Sequence, residues 1–74
     1  MTKIRQTMLQ ALEKKYESDI AQADATIQIY LNSSVGIGEH PQHIDEIDKQ
    51  FQKIADAQEK LKAISDFREP RVAL

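Results

Sequence analysis

His40 and His43 stand three residues apart, and Glu46 follows His43 at the same interval. Two imidazoles and a carboxylate so spaced could share one side of a helix and meet a divalent metal such as zinc or nickel. Helical metal sites more often set their histidines four apart with a defined third ligand, and a fourth protein ligand here would have to come from another chain. Histidines near a helix start usually serve as polar surface or capping groups. His40, His43 and Glu46 are therefore the metal candidates, and no cofactor is expected.

Gly36-Ile37-Gly38 precedes a helix start, where unpaired backbone N–H groups attract anions. No strand leads into it, no loop lysine accompanies it, and Glu39, Asp45 and Glu46 would repel a phosphate. Lys3, Arg5, Lys14 and Lys15 could face a nucleic-acid backbone, but Glu13 and Glu17 interrupt them. The chain as a whole carries a net charge of −2, which also counts against a nucleic-acid partner. Asp45 and Asp48, like Asp56 and Glu59, are carboxylates three apart, a spacing that recurs on most charged helices. No catalytic residues are identified, and the chain is not expected to be an enzyme. With no cysteine, it has no thiol nucleophile, disulfide or thiolate metal site.

The elements that position these residues are two helices. Apolar residues at Ile4, Met8, Leu9, Leu12, Tyr16, Ile20, Ala23, Ile27 and Tyr30 keep to one face of a helix predicted over about residues 3–31. The steps through Leu9, Leu12, Tyr16 and Ile20 predict a local stutter that straightens the helix. Asn32-Ser33-Ser34 and the two glycines predict a bend over residues 32–40, and Pro41 suits the first position of the next helix. The second stripe is Ile44, Ile47, Phe51, Ile54, Leu61 and Ile64, with Gln58 expected in the gap and Pro70 as the stop. It predicts a helix over about residues 41–68, followed by a flexible tail at 69–74. At about 43 and 42 Å the helices match in length, and an antiparallel hairpin pairs residues whose numbers sum to about 71. Ile20 then lies near Phe51, Tyr16 near Ile54, and Ile4 near Phe67.

Residues Val35 to Lys49, reading VGIGEHPQHIDEIDK, resemble short uncharacterised helical proteins encoded by marine tailed phages, a similarity that extends from about Leu12 to Phe67. The resemblance implies a small viral or environmental-bacterial helical protein. It carries no functional residues across.

The expected fold is all-α: one domain over residues 1–74, an antiparallel two-helix hairpin that dimerises into a four-helix bundle. Seventy-four residues in two helices leave half of each apolar stripe wet, and a second copy covers it. Leu12, Tyr16, Ile20, Ile27, Ile44, Ile47, Phe51, Ile54, Leu61 and Ile64 are the expected core and oligomer residues. Residues 1–17 and 58–74 hold eight basic and five acidic residues, net +3, while 18–57 hold two and seven, net −5. Such polarity favours an antiparallel homodimer, with acidic bends beside basic termini. No apolar run approaches the roughly 20 residues that span a bilayer, and Met1 to Gln6 lack a signal core, so a cytoplasmic location is expected. The leading functional expectation is a non-enzymatic interaction or assembly protein with an unidentified protein partner; the alternative is a small nucleic-acid-associated regulator using the basic terminal end.

Overall fold

The computed structural model describes residues 2–32 and 42–68. They form two helices, α1 over Lys3–Asn32 and α2 over Gln42–Arg68, packed as an antiparallel hairpin. Of the predicted bend over 32–40, Asn32 is the last residue of α1, and the rest, with Gly36, Gly38 and His40, lies outside the described residues, as do Pro41 and the tail.

Thr2 starts α1: its Oγ1 accepts a hydrogen bond of 3.1 Å from the Arg5 backbone N–H, and its carbonyl accepts one of 3.1 Å from Gln6. This is an N-cap, satisfying donors that the first turn otherwise leaves without a partner. α2 has Asp45 in its first turn and Arg68 in its last, both of favourable sign for the helix dipole.

The inward positions follow strict steps of four and three. On α1 they are Leu9, Glu13, Tyr16, Ile20, Ala23, Ile27 and Tyr30; on α2 they are His43, Ile47, Gln50, Ile54, Ala57, Leu61, Ile64 and Arg68. Each run is a heptad pattern of a and d positions, the repeat that keeps one side of a helix against its partner. No stutter interrupts α1: Glu13, not Leu12, fills the inward position, and Leu12 is exposed. The expected seam position at Gln58 is likewise corrected, because Ala57 is buried and Gln58 is exposed. A phase error of one residue turns a side chain by about 100° around the helix axis. That rotation also places Ile44 and Phe51 on the surface, at 67% and 55% exposure, and buries Gln50.

The core is thin. Ala23, Ile27, Ala57 and Ile64 are the buried apolar side chains among the described residues, and the alanines have no bulk to hold the helices apart. Side-chain contacts among the described residues cross between the helices. Arg5 stacks on the Phe67 ring at 5.2 Å, Lys60 on the Tyr16 ring at 5.3 Å, Arg68 Nη1 meets Glu13 Oε1 at 2.7 Å, and the Tyr30 and His43 rings lie 5.3 Å apart. Arg5 on Phe67 and Tyr30 on His43 keep near the expected register, whereas Glu13 and Tyr16 reach residues further along α2.

Candidate functional site

Heptad geometry divides the hairpin surface into two broad faces. In an antiparallel pair, residues just before each a position line one side of the seam, and residues just after each d position line the other. Arg5, Leu12, Asp19 and Thr26 of α1 therefore share a side with Glu46, Lys53, Lys60 and Phe67 of α2. The Arg5–Phe67 contact joins that set directly. Leu31, Ile44 and Phe51 belong to the opposite side, Leu31 and Ile44 toward the bend end and Phe51 near the level of Ile20.

The first side holds a groove of about 330 Å³. It exists because Ala23 and Ala57 form its floor and end where larger side chains would fill the space. Gln50 also lines it, and Asp19, Lys53, Asp56 and Lys60 stand around the rim. Asp19 is paired with Lys15 at 3.2 Å, and Asp56 accepts a hydrogen bond of 2.9 Å from Gln52 Nε2. Beyond the groove, Leu12 stands toward the termini and Ile29 toward the bend, Ile29 lying at the outer edge of this side.

The other sequence candidates are dispersed. His43 faces inward beside Tyr30, and Glu46 turns to Lys49 at 3.3 Å. Among the described residues, no group of three histidine, cysteine or acidic side chains could hold a metal ion, and His40 lies outside them. Of the basic quartet, Lys14 pairs with Glu17 at 3.6 Å, Lys15 with Asp19, and Arg5 covers Phe67, while Lys3 borders a shallow polar pocket with Gln6, Gln10 and Arg68. These exposed pairs each contribute little to stability, but they neutralise the lysines within their own helix. Of the expected core and oligomer residues, Ile27 and Ile64 are buried, and Tyr16, Ile20, Ile47, Ile54 and Leu61 are half-buried. Leu12, Ile44 and Phe51 face outward in the hairpin.

Set against protein-family models, curated proteins and solved structures, the chain matches none. The functional reading rests on the surface itself. On that surface Ile4, Met8, Ile29, Leu31, Ile44 and Phe67 are each more than half exposed. Spacing alone did not single out Gln50 and the alanine floor. The signal available in the sequence was the heptad phase, in which Gln50 and Ala57 occupy the same seam as Ile54 and Leu61.

Proposed function

We propose that the protein is a non-enzymatic interaction and assembly module whose hairpins associate antiparallel into a four-helix bundle, leaving further helix surface for a protein partner. The observation that supports this reading is area. The whole chain exposes 6131 Å², against about 4,700 Å² expected for a compact monomer of 8.5 kDa, and Ile4, Met8, Ile29, Leu31, Ile44 and Phe67 of the described helices are each more than 60% exposed. These side chains make part of that surface apolar, and association removes apolar surface from water.

Light scattering on a size-exclusion column tests the reading. At about 50 µM the mass is expected at twice 8.5 kDa, and a mass of 8.5 kDa overturns the bundle. The regulator alternative has less support, since Arg5, Lys14 and Lys15 are engaged within the hairpin. Gel shifts with DNA and RNA are expected to be negative, and a shift that weakens steeply with added salt would favour that alternative. The phage resemblance is compatible with either function and carries neither.

A further inference from the structure

We propose that the alanine-floored groove is where a second copy of this chain seats, related by a two-fold axis across the groove, and that Gln50 fixes the register between the copies. The inference rests on the self-association reading and specifies its interface.

Gln50 is only 9% exposed and makes no hydrogen bond to another described residue. Gln50 lines the groove, and its amide is not among the buried polar atoms without a partner, so it opens to solvent there until a second copy covers it. Covering that amide without supplying a partner would destabilise a dimer, whereas a polar group that finds its partner in another helix on burial selects one alignment over its neighbours. The rim is built to meet itself. It carries two acids, Asp19 and Asp56, and two bases, Lys53 and Lys60, so a two-fold copy can present opposite charges without any like-charge excess.

The apolar residues agree with this orientation. Leu12 and Ile29 lie at nearly equal distances along α1 on either side of Ile20, so an antiparallel copy sets Leu12 of one chain at the level of Ile29 of the other. Among the described residues, the same orientation lays the basic terminal half, net +3, along the acidic half, net −4. The opposite side lacks this symmetry. Of its exposed apolar residues, Leu31 and Ile44 lie toward the bend end, where an antiparallel copy would bring Lys14 near them, while Phe51 lies close to the level of Ile20.

The absence of native cysteine makes disulfide trapping a clean test. Leu12→Cys and Ile29→Cys variants, both altered at exposed positions, are mixed, oxidised and weighed by mass spectrometry. The mixed L12C–I29C disulfide is expected to exceed either homodimer by about tenfold, since only that pair gains from proximity. Adding Gln50→Leu to both variants should bring the ratio down to the statistical twofold, with helicity retained by circular dichroism. If the preference survives Gln50→Leu, Gln50 does not set the register. If a dimer forms by light scattering but Ala55→Cys, on the opposite side, cross-links while the mixed pair does not, this interface is wrong and self-association stands. A monomer at about 50 µM overturns both.

Discussion

Glu13 and Arg68 show how much a single position depends on its surroundings. Both occupy inward positions, both are about two-thirds buried, and their 2.7 Å contact ties the terminal ends of the two helices together. Glu13→Gln is expected to lower stability by about 0.5–1.5 kcal/mol in urea titration, with a smaller loss in high salt. An unchanged midpoint would show that the pair contributes nothing. Ala57 acts differently, through what it lacks. It permits close approach of α1 beside the groove, so Ala57→Leu should overpack the contact and cost about 1–3 kcal/mol despite adding apolar surface.

At the scale of the helix, phase decides which apolar residues matter for the hairpin. Ile27 and Ile64 face inward, so truncating either to alanine should cost about 2–4 kcal/mol by chemical denaturation. Ile44 is the same residue type at comparable spacing, yet it is exposed, and Ile44→Ala should change stability by no more than about 0.5 kcal/mol. Equal losses at Ile44 and Ile64 would contradict the heptad assignment. The two-helix architecture was legible because isoleucine and leucine recur at helical spacing on both sides of a glycine-containing break. The phase was harder to read. Leu12 and Phe51 are more apolar than their neighbours Glu13 and Gln50, so ranking residues by hydrophobicity selected the wrong member of each pair. Glu13 can face inward because Arg68 arrives from the other helix, and that pairing is non-local.

For the whole molecule, shape is the controlling quantity. A radius of gyration of 17.0 Å stands against about 11 Å for a compact chain of this length. Extents of 53 × 28 × 15 Å describe a single layer of helices, and one layer has no interior of its own. If association supplies the missing layer, stability is inseparable from concentration. The melting temperature is expected to rise by about 5 °C for each tenfold increase in protein, and a concentration-independent midpoint would count against assembly.

The sequence by itself determined the all-helical class and the presence of two antiparallel helices, because helical periodicity and its interruption are local properties of the chain. It also determined the charge difference between the two ends and the absence of thiol chemistry. Only the tertiary structure decided that Glu13 and Gln50 turn inward, that Leu12, Ile44 and Phe51 turn outward, and that Ala23 and Ala57 open a groove beside Gln50. Those outcomes depend on which residue of the other helix arrives at each level. The heptad phase marks the small and charged seam positions along each helix, but which of them meet across the seam is non-local.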